Sequence, residues 1–444
     1  MGKRQFLTAL VLAFMVTHCQ GQGRTIARLF WQDDSTARLM SGDLKKSGGE
    51  WMIDSLEVID HPDLDPEQQS LVQMQEDDGL LLVGVRDVDD GKDGSGWIAI
   101  ETGVVEEPHG DHSHWRYKES PGVAKSLIND QQGNPAHVYK YGDTFVIAND
   151  KKNGFTITSS AKLRETKDPA SAAKFFEGGN GHITLGVIPD QVAYATWIAP
   201  AGDDAGRVDV IGLGANEGRS YSLKCPSGTL HGASMNSGRA FFAPADGVCW
   251  VDADLKLSSA GESVDVNHLS LGSDQDGIPS RTGAFCSYGE HLVFTSGSGA
   301  STKLCWINAA AKTPQVHSLA LQVQDGEKLS TPSVTKTRFG DTICMVFGQF
   351  KDSPENDRMH VVGLDPNRDG DFGDASPQAV VPIGPNQMVG HAGYHAFTAL
   401  PDQRYGVVTN PGNGSLWVVS LRDFNTVAKL SVGGTPSRLI AVGG

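Results

Sequence analysis

The chain has 444 residues, a formal net charge of −16, 53 glycines and 7% aromatics. Diffuse acidity of this size, without clusters of Lys and Arg, excludes nucleic acid and anionic membrane surfaces as partners. Six cysteines are too few for a disulfide scaffold, and the chain is long enough to bury a large core.

Lys3 and Arg4 precede an apolar run from Phe6 to Val16, too short for a stable bilayer span, so residues 1–23 read as a signal segment. The mature chain is expected to be exported, to the periplasm or the cell envelope. Val16-Thr17-His18-Cys19 is similar to a lipobox, with His18 where a small residue is usual. Two outcomes stand: lipidation of Cys19 with a membrane tether, or cleavage near Gly21 or Gly23 with release.

From 24 to 444 the chain reads as a single all-β domain and, in the absence of a pattern calling for a second copy, a monomer. Short alternating apolar stretches are separated by Gly, Asp and Asn turns, and no amphipathic helix of three turns is evident. Successive units begin at Ser70, His137, His182, His231, Thr282, Ser333 and His395, mostly 45 to 67 residues apart, as four-stranded propeller blades with loops would. Thr25 to Trp31, Ala37 to Met40 and Trp51 to Asp54 look like three strands lacking a first, and Pro436 to Val442 looks like an orphan first strand. Joining them closes the ring and removes two exposed sheet edges. The expectation is a β-propeller of eight blades, with seven as the alternative because an insertion after Trp97 blurs one unit.

That insertion contains Glu106-Glu107-Pro108-His109-Gly110-Asp111-His112-Ser113-His114. Imidazole and carboxylate are zinc ligands, and a loop carrying His109, Asp111, His112 and His114 can turn several onto one ion while Gly110 supplies the bend. A solvated surface loop is the plainer reading of the same residues. In a propeller the first strand of each blade lines the central channel, so His137, His182, His231 and His395 hold equivalent positions around the axis. A ring of imidazoles at one channel mouth follows, with His391 four residues before His395 as a further candidate. A lone histidine there would more simply cap its strand by hydrogen bonding.

Asp365, Asn367, Asp369 and Asp371 repeat the opening of a calcium loop, without the closing Glu and without flanking helices, so calcium competes with an Asp/Gly-rich hairpin. Cys249-Trp250 is echoed by Cys305-Trp306, which favours buried strand thiols.

Several segments resemble the AztD-type periplasmic zinc metallochaperones: Trp97 to Gly103, Glu107 to His114, Gly133 to His137, Cys225 to Gly232 and Ala245 to Val248. The resemblance covers roughly Trp97 to Val251. It implies a β-propeller that hands Zn²⁺ to the solute-binding protein of a zinc ABC transporter, with His109, His112, His137 and His231 in a zinc site. The family pattern has a second cysteine where this chain has Pro244, which puts its disulfide in doubt here; Cys249 is the remaining partner for Cys225. No nucleophile elbow, His-Glu-x-x-His helix or phosphate loop is present, so an enzyme is not expected. The alternatives are an interaction scaffold, or a metal-dependent hydrolase or lactonase with Glu106 or Glu107 as base.

Overall fold

The computed structural model describes residues 23–88, 94–110 and 112–444. Most of the expected signal segment, with Cys19, and Asp111 lie outside these described residues, as does the side chain of His112. Eight antiparallel sheets follow one another around a ring, as the eight-bladed reading expects; the seven-bladed alternative is not met.

Blades 1 to 7 take their innermost strands from Gln69–Asp77, Pro135–Tyr141, Leu185–Ile188, Ala233–Asn236, Cys286–Tyr288, Ser333–Lys336 and Phe397–Ala399. Each begins within a few residues of a unit start legible in the sequence. In blade 6 the short strand Lys328–Leu329 pairs alongside Ser333–Lys336 on the same neighbour. The composite blade has Pro436–Val442 innermost, then Arg24–Asp33, Arg38–Ser47 and Glu50–Leu56.

Burial follows position in the blade. Second strands such as Thr144–Asn149 are buried throughout, because both faces are covered by adjacent blades. Outermost strands such as Thr426–Ser431 alternate between half-buried and exposed. The composite blade packs Phe30 and Val442 with Leu81 and Ile98 of blade 1, and Leu29, Trp31 and Leu439 with Val407 and Leu416 of blade 7. At the seam Asp33 accepts from the Thr435 amide at 2.7 Å, beside Gly434, which has φ +60° and lies so close that a Cβ there would meet the Asp33 carboxylate at 2.5 Å.

Strand direction fixes the two mouths of the channel. First and third strands of a blade run the same way, from what we term the upper mouth to the lower, and second and fourth strands return. Residues that precede an inner strand therefore gather at the upper mouth, and whatever is inserted between a third and a fourth strand projects from the lower one.

Candidate functional site

His137 stands near the start of the blade 2 inner strand, after a register irregularity between Pro135 and His137. His182 and His231 lie just before the inner strands of blades 3 and 4. The three rings follow one another across adjacent blades, tilted against each other, with centroids 4.7 Å apart for His137 and His182 and 4.8 Å for His182 and His231.

Their outer nitrogens are held from behind. Gln73 Oε1 accepts from the Val138 amide at 3.1 Å, which turns the Gln73 Nε2 toward His137 Nδ1 at 3.3 Å. The hydrogen-bond network then assigns the His137 proton to Nε2, which donates to His182 Nε2 at 3.0 Å. His182 Nδ1 in turn donates to Asp150 Oδ2 at 3.1 Å, and His231 Nδ1 donates to the Gly283 carbonyl at 3.1 Å. Asp150 is buried, accepts from the Ile183 amide at 3.0 Å and lies 3.5 Å from Arg86 Nη1. A carboxylate or carbonyl on Nδ1 orients an imidazole so that Nε2 is presented to a metal.

Burial, then His182 and His231, hold the His137 imidazole well below the usual histidine range. Burial, His182 and Arg86 act the same way on His391. His391 is exposed on the turn before blade 7, where Val389 and Ala392 form an isolated bridge. It shares the electrostatic neighbourhood of His182 and His231 from across the channel. His395 is placed differently. It is buried, with Nδ1 2.6 Å from the Thr409 carbonyl and Nε2 2.8 Å from Asp357 Oδ2, so neither nitrogen faces a metal and its ring fastens blade 6 to blade 7.

Among the described residues no three His, Cys, Asp or Glu side chains are already set around one point. The upper mouth nevertheless fits zinc in its donor types. Two nitrogens bound to one tetrahedral zinc at about 2.0–2.1 Å stand about 3.3 Å apart, and the His137 and His182 Nε2 atoms need only a small opening from 3.0 Å. Ligation through His137 Nε2 would move its proton to Nδ1, which requires the Gln73 amide to turn away.

The Glu106–His114 segment forms the tip of a hairpin, Val104–His109 with His112–Tyr117, inserted between the third and fourth strands of blade 1. Gly110, at φ +66°, makes its turn. His109 pairs with His112 and Glu107 with His114, so Glu107, His109 and His114 share one face by strand alternation. The His109 and His114 ring centroids are 5.6 Å apart, and Glu107 is held by Arg116 at 2.6 Å. This hairpin projects from the lower mouth. A Cβ on Gly443 would meet the Tyr117 hydroxyl, and one on Gly444 would stand 3.5 Å from the Trp115 indole nitrogen. The expectation of one site shared by His109, His112, His137 and His231 is therefore corrected to two separate histidine groups. A seven-residue inner strand such as Pro135–Tyr141 puts roughly 20 Å between the mouths.

The Asp365 to Asp371 loop directs its carboxylates onto its own backbone. Asp365 accepts from the amides of Asp369 and Gly370, Asn367 from Asp369, Asp369 from Asp371, and Asp371 from Gly373. These are the contacts of an Asp/Gly-rich hairpin. All five described cysteines are thiols. Cys249 and burial push the Cys225 thiol well up, and burial pushes Cys305 up to about 12.

Asp150, Gln73, Arg86 and Arg438 were not singled out by the sequence. Asp150 had a usable signal: it follows Thr144–Asn149, which hairpins back onto the strand of His137 and so returns to the same mouth. Arg438 had none. It is skipped in the register where Trp31 pairs with Leu439 and Gln32 with Ser437, and its φ of +35° is rare for a residue with a side chain.

No family model matches the chain, and no curated protein matches it by sequence. By fold it is similar to AztD from Citrobacter koseri in two structures, with TM-scores of 0.64 and 0.63 at 15% and 14% identity, covering 95% of this chain and 99% of AztD. It is also similar to a provisionally assigned 6-phosphogluconolactonase from Bacteroides uniformis, with a TM-score of 0.52 at 10% identity over 94% of this chain and all of that one. The chain thus shares a whole-length propeller fold with AztD, the protein whose family its segments from Trp97 to Val251 resemble.

Proposed function

We propose that the protein binds zinc at the upper mouth through His137, His182 and His231, with His391 able to close the site, and carries it as an exported metallochaperone. The carrying observation is the row of three imidazoles whose Nδ1 atoms are taken by Gln73, Asp150 and Gly283 while the Nε2 atoms of His137 and His182 face one another. Zinc needs neutral imidazole, and the depressed protonation of His137 and His391 supplies it at neutral pH. The AztD-like fold and the sequence resemblance support transfer to the solute-binding protein of a zinc ABC transporter, and the basic and apolar N-terminal segment supports an envelope location.

Carriage requires release without waiting for free dissociation, and His391, on an exposed turn opposite three fixed rings, is the ligand suited to open first. The hairpin histidines offer a second, exposed docking point for the ion at the lower mouth. The test mixes zinc-loaded protein with apo acceptor and compares transfer with loss to a chelator. Transfer faster than chelator-limited release supports carriage; an equal rate leaves storage or structural zinc.

A further inference from the structure

A cleft of about 500 Å³ opens beside His231 at the upper mouth, between the loops leading into blades 5 and 6. Its wall includes Arg281, Thr282, Ser296, Gly297, Thr302 and Lys328. In a chain of net charge −16 this is a locally cationic surface. The Arg281 guanidinium donates from Nη2 to the Thr229 carbonyl at 3.0 Å, and burial alone holds it below the usual arginine range, with no carboxylate raising it. Among the described residues neither Arg281 nor Lys328 has an ion-pair partner. The one acid on the wall, Glu327, is taken: it accepts from Arg358 Nε at 3.0 Å, from Arg358 Nη2, from His360 Nε2 at 2.7 Å and from the Gln324 amide at 2.7 Å. Ser296 also belongs to the wall, but it is 3% exposed and its Oγ is closed off from solvent.

We infer that this cleft binds a small organic anion, gripping its phosphate or carboxylate with Arg281 and Lys328. A guanidinium fork matches the paired oxygens of either group, and the ammonium supplies a second positive charge. The volume falls in the range of small-molecule sites, roughly 300–1,000 Å³, and exceeds what a bare ion needs. The wall beyond the cations is Ser, Thr and Gly, which suits a hydroxylated body. This goes beyond the zinc reading and does not depend on it.

The test is calorimetric titration of metal-free full-length protein with glycerol 3-phosphate, with malate, and with inorganic phosphate as the head group alone; the first two separate a phosphate from a carboxylate source. At least one organic anion should bind at one per chain and more tightly than inorganic phosphate. R281Q should weaken it about tenfold or more, and K328Q severalfold, whereas K162Q, a remote exposed cation, should leave it unchanged. Lys328 is exposed, so K328Q keeps the test open if R281Q fails to fold. Heat from none of the three ligands, or equal weakening by K162Q, overturns the inference. The double variant H137A/H182A should still bind the anion. Zinc retention without anion binding sinks this inference alone, and anion binding without zinc retention sinks the zinc reading alone.

Discussion

The histidines of the upper mouth and those of the hairpin are the same ligand type held in opposite ways. At the upper mouth His137, His182 and His231 come from three blades, and each has its Nδ1 fixed by a residue from a different part of the chain. In the hairpin His109 and His114 are near neighbours in sequence, brought onto one face by a two-stranded register and a glycine turn. The first arrangement needs the closed ring and gains preorganisation from it. The second needs only local pairing, and His109 and His114 are exposed. On the zinc reading, tight holding is expected of the first and ready exchange of the second.

The largest way to break this comparison is to open the ring. Deleting Pro436 to Gly444 removes the inner strand that pairs with Arg28 to Asp33, together with the buried Leu439 and Val442. Two large apolar side chains at about 1.5–3 kcal/mol each, with the newly exposed edge of Arg24–Asp33, are a large share of the stability of a domain, about 5–15 kcal/mol. The truncated protein is expected to aggregate or to melt several degrees or more earlier by circular dichroism, the shift per kcal/mol being small in a domain of this size. An unchanged melting curve would mean that the seam is not structural.

Next in size, H137A/H182A should abolish retention of the tightest zinc ion through desalting, measured by metal analysis of protein purified without a histidine tag. The melting temperature of the metal-free form should change little, since both rings are only half-buried. Retention of a full equivalent by the double variant would move the tight site away from the upper mouth.

The two groups also differ in how far the sequence exposes them. The hairpin cluster is legible because its residues are consecutive, and the unit starts are legible because a blade repeats its turn chemistry and its alternation. His137, His182 and His231 were placed together by that repeat alone. The same repeat put His395 in the ring, and the structure shows why equivalence of position is not equivalence of role: Asp357, from the neighbouring blade, captures its Nε2. Asp357 and Asp150 reach histidines that lie 38 and 32 residues away in the chain, and no local pattern announces such pairs. The separation of the hairpin from the channel was hidden for a related reason. The insertion lies next to His137 in sequence, yet it leaves the sheet from the opposite end of a strand.

D150N sharpens the comparison inside the upper group. The amide can still accept from His182 Nδ1 but withdraws the negative charge that makes the ring a better donor to metal. Zinc affinity is expected to fall about 10–100-fold, read by competition with a fluorescent chelator, with the fold intact. Equal affinity would show that Asp150 serves only the Ile183 amide and Arg86.

In the hairpin, H109A/H114A should leave the tight ion in place and remove a second, weaker one, seen as a loss of stoichiometry at excess zinc. If this variant instead loses the tight ion, the ranking of the two groups is inverted.

The smallest expected effect is on stability against pH in the metal-free protein. The His137 imidazole is held below its ordinary value of 6.5 by burial, His182 and His231. The unfolded chain therefore takes up a proton near pH 6.5 that the folded chain refuses. Stability from this group is whole above that pH and is lost as pH falls toward the depressed folded value, by at most about 1.4 kcal/mol per pH unit. His61, His291 and His391 are depressed in the same direction and add to the slope. Urea midpoints measured between roughly pH 7.5 and 5 should fall on acidification, and H137Q, which cannot titrate there, should fall less steeply than the parent. Parallel slopes would mean that His137 is protonated in the folded chain, and zinc at the upper mouth would then have to displace that proton before it could bind.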